Sequence, residues 1–312
     1  MKILFMGTPN FAVPPLKALI EHHQVVAVCK QPDRPSGRGY KLVLSPVKEL
    51  ALANKIPVLQ PETLKINQSK EIRKELKNFQ ADMFIVCAYG LILPKGVLSM
   101  PPLGCINIHA SILPRYRGAA PIHASLLNGD KSTGITIMHM DTGMDTGDII
   151  TQDELPILQG ERFPSLHDRM SNLGAKCIIE AVDLIKNGVA GRLPQDSTKA
   201  SYAPMIKKND GHINWNLETE KIINLTRAFD PWPGLYFVYN SRPVKIWQAE
   251  KSDEVSDAKP GAVLVSDPTR GLLIKTGDGT LKVTQLQAGG GRRMASVDYL
   301  KGNRIDVGTV LE

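Results

Sequence analysis

Apolar residues in this chain gather in short runs, and between the runs they recur at helical spacing. Residues 2–6 form the first run, Gly7-Thr8-Pro9-Asn10 breaks it, and 11–20 carries apolar positions near a 3.6-residue period, which predicts a strand, a turn and a helix. Further runs at 25–29, 83–88, 105–108 and 135–138 alternate with helical stretches such as 69–79, and 165–186 has the pattern of a long amphipathic helix. That alternation predicts an α/β domain with a mostly parallel sheet between helices. Beyond residue 210 the pattern changes to one helical stretch, 218–228, and then short strands at 235–239, 244–249, 262–265, 272–275 and 281–287. Short strands at regular spacing predict a small β-barrel, with the five-stranded nucleic-acid-binding barrel as one candidate. Between the two patterns, 187–210 is rich in Gly, Pro, Ser, Thr and Lys with little periodicity, so it reads as a linker. The expected division is a first domain over 1–189, a linker over 190–208 and a second domain over 209–312, with no internal repeat.

Composition supports that division and narrows the setting. With 312 residues, 42% hydrophobic and 22% charged, the chain can bury two cores. Its first residues, Met-Lys-Ile-Leu-Phe-Met-Gly, have neither the length of a membrane span nor the layout of a signal peptide, and are expected to be the first strand. Cys29, Cys87, Cys105 and Cys177 are scattered without a C-x-x-C pair, which fits a reducing cytoplasm. The formal charge of +7 allows an anionic partner. However, 209–312 holds 13 Lys and Arg against 13 Asp and Glu, so the excess lies upstream and any anion affinity there must be local.

The chemistry concentrates between Gly104 and Gly118. Asn107 and His109 interrupt an apolar run two residues apart, which on an extended chain directs both side chains to one face. The segment 111–118 then leaves the strand with a proline, two arginines and a tyrosine. Downstream, 133–148 reads as a β-branched strand running into a turn with Asp141, Asp145 and Asp148. An acid such as Asp145 arriving beside the amide and imidazole would suit a carbonyl passing through a tetrahedral intermediate, as in acyl transfer or amide hydrolysis. The plainer reading stays open: a lone strand histidine is commonly a satisfied core residue, and turn aspartates commonly cap their own backbone. No His, Cys, Asp or Glu spacing matches a zinc site, the turn after the first strand lacks G-x-G-x-x-G, and Ser111 lacks a G-x-S-x-G elbow. The long loop 31–45 exposes Arg34, Arg38 and Lys41 among glycines and prolines, either a solvated loop or an arm for a phosphate-bearing partner.

Gly7-Thr8-Pro9, Gln31-Pro-Asp-Arg-Pro-x-Gly-Arg38-Gly, Asn107-Ile-His109-Ala-Ser111-Ile-Leu-Pro114-Arg-Tyr-Arg-Gly118 and Met140-Asp-Thr-Gly-Met-Asp145-Thr-Gly-Asp together resemble the methionyl-tRNA formyltransferases of bacteria. The motifs lie in the first half, and the second half is similar only in its barrel-like layout. The resemblance implies a Rossmann-like formyltransferase domain followed by a smaller, OB-like β-barrel. It implies that 10-formyltetrahydrofolate gives its formyl group to the α-amino group of methionine on initiator tRNA, without a metal. It assigns the transfer to Asn107, His109 and Asp145. Ser111, Ile112, Leu113 and Pro114 would line the folate site, with Ile112 where the family has Leu, and Tyr89, Gly90 and Leu91 would lie in the loop beside the pterin. Arg38 would wedge into the tRNA acceptor end, with Arg34 and Lys41 beside it. The tRNA would also meet the barrel, where charge singles out the linker's Lys207 and Lys208, Arg292 and Arg293, and Lys301 with Arg304. A cytoplasmic monomer acting in translation initiation is the expectation. Relatives that formylate an amino sugar nucleotide or glycinamide ribonucleotide, that hydrolyse the donor, or a non-catalytic RNA-binding protein, are the alternatives.

Overall fold

The computed structural model describes residues 1–33, 35–36, 41–42, 44–65 and 69–312, with the side chains of 35–36 and 41–42 outside that description. Two compact units result: Met1–Pro121, Ser132–Pro156 and His167–Ala203 form the first, and Ile122–Lys131, Ile157–Leu166 and Pro204–Glu312 the second.

In the first unit the chain runs β1 (Lys2–Gly7), α1 (Val13–His22), β2 (Gln24–Cys29), the antiparallel pair of two-residue strands β3 (Pro35–Ser36) and β4 (Lys41–Leu42), α2 (Pro46–Ala53) and β5 (Val58–Leu59). It continues through α3 (Lys70–Asn78), β6 (Met83–Cys87), α4 (Lys95–Leu98), β7 (Cys105–His109), β8 (Arg117–Gly118) and α5 (Pro121–Leu127), which leaves the unit after its first residue. The hairpin β9 (Ser132–His139) and β10 (Ile149–Pro156), the long α6 (Phe163–Lys186) from His167 onward, and β11 (Tyr202–Ala203) complete it.

The sheet runs β10-β9-β7-β6-β1-β2-β5. The five strands from β7 to β5 pair parallel, whereas β9 pairs antiparallel with both β7 and β10. The mostly parallel sheet expected from alternation is therefore present with an antiparallel edge. Inner strands are buried on both faces, and every residue of β6 is buried, as parallel sheets covered by helices require. From β1 the chain builds outward through β2 and β5 and then returns to β6 on the other flank, so the carboxyl ends of β1 and β6 open a crevice. Gly7 ends β1 there, and a Cβ on it would lie 2.8 Å from Cys87 O and 2.9 Å from Ala12 Cβ. Period-two alternation sends Ile106 and Ile108 of β7 to one face and Asn107 and His109 to the other. Gly174 brings α6 against Ile108, since a Cβ would meet its Cγ2 at 3.2 Å. The polar pair thus faces away from that helix.

Asp33, where a Rossmann protein would place its ribose-binding acid, is instead held by two ammonium groups. Lys30, only 1% exposed, and Lys48 each donate to one of its carboxylate oxygens, and Lys48 also reaches Gln60 Oε1 at 2.8 Å. The hydrogen bonds from Lys30 and Lys48 hold the Asp33 carboxyl well below the usual carboxylate range. Lys48 sits in the first turn of α2, whose N-cap Ser45 accepts from Lys48 N at 3.3 Å.

The second unit takes up α7 (Thr219–Ala228) and the strands β12 (Leu235–Tyr239), β13 (Arg242–Ser252), β14 (Val263–Asp267), β15 (Gly271–Lys275) and β16 (Thr280–Ala288), with β17 (Met294–Ala295) and α8 (Ser296–Leu300) after them. All strand pairs are antiparallel in the order β12-β13-β16-β15-β14. β13 is longer than its alternation indicated because its register shifts on both sides of Gln248, a bulge that lets one strand curve with the sheet. Among the described residues no ladder joins β12 to β14. The last residues bridge the two edges: Gly308 N donates to Val263 O at 2.8 Å, Leu311 N to Gly261 O at 2.9 Å, and Val238 N of β12 to Glu312 O at 2.9 Å. At the start of α7, Asp278 Oδ1 accepts from Thr219 N (2.7 Å) and Oγ1 (2.9 Å).

Replacing Asp33 by Ala leaves the buried Lys30 ammonium unpaired and should cost about 3 kcal/mol in denaturant unfolding at pH 7. Because folding depresses this acid's pKa, its stabilisation is fully present above the ordinary value of about 4, declines below it and is lost only as pH falls through the depressed folded value. The wild-type and Asp33→Ala unfolding midpoints should therefore converge on acidification. A gap as wide at about pH 2 as at pH 7 would contradict the assignment.

Candidate active site

At the end of β7 three polar side chains meet. Asn107 Nδ2 lies 3.4 Å from Asp145 Oδ1, and His109 Nδ1 lies 3.7 Å from Asp145 Oδ2, too far for a hydrogen bond but close enough for ion pairing. His109 is buried, and its Nε2 is 3.0 Å from Tyr116 O. A carbonyl can only accept, so Nε2 carries the proton and Nδ1 is the nitrogen turned toward the carboxylate. Asp145 Oδ2 also accepts from Gly118 N at 2.8 Å. An amide, an imidazole and a carboxylate thus surround one point at the sheet's carboxyl edge.

The acid reaches that point through the turn joining β9 to β10. Asp141 turns inward on its own loop, where its Oδ1 accepts from Gly143 N (2.9 Å) and Thr146 Oγ1 (2.7 Å). Asp148 pairs with Arg192 at 3.7 Å. Of the three acids only Asp145 faces the strand pair, from a left-handed backbone with φ of 53°. Close approach is allowed by Gly147, on which a Cβ would fall 1.8 Å from His139 O.

The segment 190–203 supplies the clamp. Gln195 Nε2 donates to Asp145 O (2.9 Å) and Gly147 O (2.8 Å), and its Oε1 accepts from Arg117 Nε (3.1 Å) and Nη2 (2.8 Å). Arg117 is 2% exposed, so it braces the loop. Leu193 bridges Ile149, β11 pairs with β8, and Tyr116 N donates to Ser201 Oγ at 2.9 Å. Composition made this stretch look like a linker; in the structure it is stitched to both halves of the site. Gly118 permits the contact with a φ of 115°, since a Cβ there would lie 2.8 Å from Ala203 O.

The predicted wall of Ser111, Ile112, Leu113 and Pro114 is fixed from behind. Thr136 Oγ1 donates to Ser111 O (2.6 Å) and accepts from Leu113 N (3.1 Å) and Gln152 Nε2 (3.0 Å), while Gln152 also donates to Leu113 O (2.8 Å). Ser111 Oγ donates to Arg115 O at 2.6 Å, and the Leu113–Pro114 peptide is cis. Across the crevice, Gln31 Nε2 donates to Tyr89 O (2.9 Å) and Gln31 N to Thr8 Oγ1 (3.2 Å), which joins the ends of β1, β2 and β6. The Tyr89 phenol points into the core and meets Cys29 Sγ at 3.1 Å, so only its backbone, with Gly90 and the half-buried Leu91, faces outward. Burial pushes the thiols of Cys29, Cys105 and Cys177 up to about 12 and that of Cys87 higher, which makes all four poor nucleophiles. Among the described residues no group of three or more His, Cys, Asp or Glu could hold a metal ion.

The cationic candidates fare unevenly. Arg34 and Arg38 lie outside the described residues, and of Lys41 only the backbone in β4 is described. In the second unit Lys207, Lys208 and Arg292 are exposed, while Lys301 pairs with Asp298 at 2.7 Å. Arg293 is engaged with Asp230 at 2.5 Å and stacks on Trp247, its guanidinium carbon 3.5 Å from the ring centroid. Sequence reasoning had no signal for Gln195, Thr136, Gln152 or Ser201, whose partners lie between 16 and 85 positions away.

The family model described as "Formyl transferase" matches residues 1–182, and that described as "Formyl transferase, C-terminal domain" matches 205–304. A curated relative from Desulforamulus reducens, named methionyl-tRNA formyltransferase, is 45% identical over all of this chain and 98% of its own length. One of the same name from Syntrophus aciditrophicus is 46% identical over all of this chain and 99% of its own. Among solved structures, an N-formyltransferase from Helicobacter canadensis in complex with folinic acid and dTDP-3-aminofucose shares the fold with a TM-score of 0.65 at 21% identity, over 94% of this chain and all of that one.

Replacing Gln195 by Ala removes both donors from the Asp145 turn and the acceptor of a buried guanidinium. Amide exchange across 141–148 should accelerate by about 10- to 100-fold, with a stability loss of roughly 2 kcal/mol. Unchanged protection in that turn would show that Gln195 is not its clamp.

Proposed function

The chain belongs to the formyl transferase family, and from that premise we infer that it transfers the formyl group of 10-formyltetrahydrofolate to the α-amino group of methionyl initiator tRNA. Relatives of that name match it from end to end at about 45% identity, which favours the tRNA acceptor over a small one. The observation that carries the chemical reading is the convergence of Asn107, His109 and Asp145 on one point at the carboxyl end of β7.

In this reading the neutral amine attacks the formyl carbon, the new C–N bond forms, and the carbonyl oxygen becomes an oxyanion. Asn107 Nδ2 donates to that oxygen, and His109, when protonated, presents Nδ1–H beside it because Nε2–H is committed to Tyr116 O. Asp145 accepts the proton the amine loses and delivers it to the folate nitrogen as the old C–N bond breaks. Gly118 N and the Gln195 clamp keep that carboxylate from swinging away. Folate would lie along Ser111, Ile112, Leu113 and Pro114, with the backbone of Tyr89, Gly90 and Leu91 opposite; the folinic acid in the Helicobacter protein supports a folate for this fold. In this division of labour 1–189 carries the transfer, 190–208 joins the domains while its Gln195 and Ser201 brace the transfer site, and 209–312, with Arg292, holds tRNA together with Arg34, Arg38, Lys41, Lys207 and Lys208. Every group invoked comes from one copy of the chain, so a monomer suffices, acting in the cytoplasm where translation starts. No described helix is long and apolar enough to cross a membrane.

Purified protein given 10-formyltetrahydrofolate and methionyl initiator tRNA should block the amino group, and protein that formylates only a small amine would defeat the reading. Asn107→Ala and His109→Ala should each lower kcat by about 100- to 1000-fold with KM for tRNA within about twofold. Equal losses in kcat and tRNA affinity would move these residues from transfer to binding.

A further inference from the structure

The loop from Phe229 to Gly234 holds an indole in water. Trp215 and Trp247 are each 4% exposed, whereas Trp232 is 51% exposed. The chain has three tryptophans, so this is its single solvent-facing one. The loop beneath it is tied at every corner. Gly234 N donates to Phe229 O at 2.9 Å and closes the loop on itself. Asp230, 8% exposed, takes Arg293 on one oxygen (2.5 Å) and Arg162 on the other (2.8 Å). Burial would raise the Asp230 carboxyl, yet the hydrogen bonds from Arg293 and Arg162 leave its pKa below the ordinary value. At the far end Lys245 Nζ donates to Pro233 O at 3.0 Å. Pro231 and Pro233 fix φ on either side of the indole.

The surroundings are cationic although 209–312 has no net charge. Lys245 and Arg293 both lie over the Trp247 ring, at 5.2 and 3.5 Å from its centroid. The Lys245 pKa is lowered first by burial and then by the charges of Arg293 and Lys208. A carboxylate shared by two arginines leaves positive charge over, and the exposed Lys208 and Arg292 extend it. Isolated exposed apolar residues are ordinary. An indole on a tied loop beside a cluster of cations has the makeup of a nucleic-acid subsite, where bases stack on aromatic faces and cations take the phosphates.

We propose that Trp232 is a stacking platform for an unpaired base of the RNA substrate, with Lys208, Lys245 and Arg292 taking the adjoining phosphates. The inference rests on the tRNA reading above and adds a specific contact to it. A protein partner would call for a wider apolar patch than one indole.

The test uses the full-length protein. Acrylamide quenching of tryptophan fluorescence reports Trp232, and saturating deacylated initiator tRNA should shield it. Trp232→Leu keeps apolar bulk but not the π face, and should raise KM for methionyl-tRNA by about 5- to 100-fold with kcat and the KM for the formyl donor unchanged. Trp232→Phe should recover most of the loss. Quenching unaffected by bound tRNA, or a Leu variant with wild-type KM, overturns the proposal. If the Leu variant lacks a cooperative thermal transition, shielding in the wild type decides alone. A wild type that formylates tRNA without shielding Trp232 sinks this inference only, whereas one that neither binds nor formylates tRNA sinks the functional reading and this with it.

Discussion

A carboxylate beside an imidazole and an amide at a sheet's edge is useful only if it cannot turn to water or collapse onto its own turn. The residues around the turn bear on that constraint. The Asp145 backbone is held in the left-handed region, Gly147 two residues on lies where no side chain fits, and one amide from Gln195 fastens the turn on both sides of Thr146. The same Gln195 is oriented by the buried Arg117, whose neighbour Gly118 supplies the N–H that grips the carboxylate. The loop and the turn are therefore mutually dependent, and a network of this kind stiffens only when all of its members are satisfied.

The parts of this arrangement that follow a local period were legible in the sequence. Asn107 and His109 two apart on a strand, the glycines of the Asp145 turn, and the strand spacing of the second unit all show in the pattern of residue types. What escaped depends on partners distant in the chain. Gln195 and Ser201 look like ordinary linker polar residues until they are set against 117 and 116. Tyr89 looks like a site residue, but the positive φ of 48° at Ala88 turns its ring into the core against Cys29. The antiparallel edge escaped because alternating strands and helices describe β1 to β7, while β9 and β10 form a hairpin that the alternation does not encode.

Electrostatics shows the same contrast between totals and places. A balanced count of charges over 209–312 hides a concentration around Trp247, where Asp230 is outnumbered by the cations gathered about it. In the first unit Asp33 looks like a ribose ligand by position, yet two lysines already occupy both of its oxygens. Sequence position gives the candidates; the partners decide which remain open to a ligand.

The strap that closes the site also sets an order of events during synthesis. Sheet strands up to β10 can pair once residue 156 has left the ribosome, but the clamp on Asp145 waits for 195 and the pairing with β8 waits for 203. A nascent chain thus carries a nearly complete sheet and an unclamped Asp145 turn for the time it takes to make some forty further residues, on the order of a few seconds. The Asp145 turn is thus fastened late, by a segment made only after the strands it is tied to.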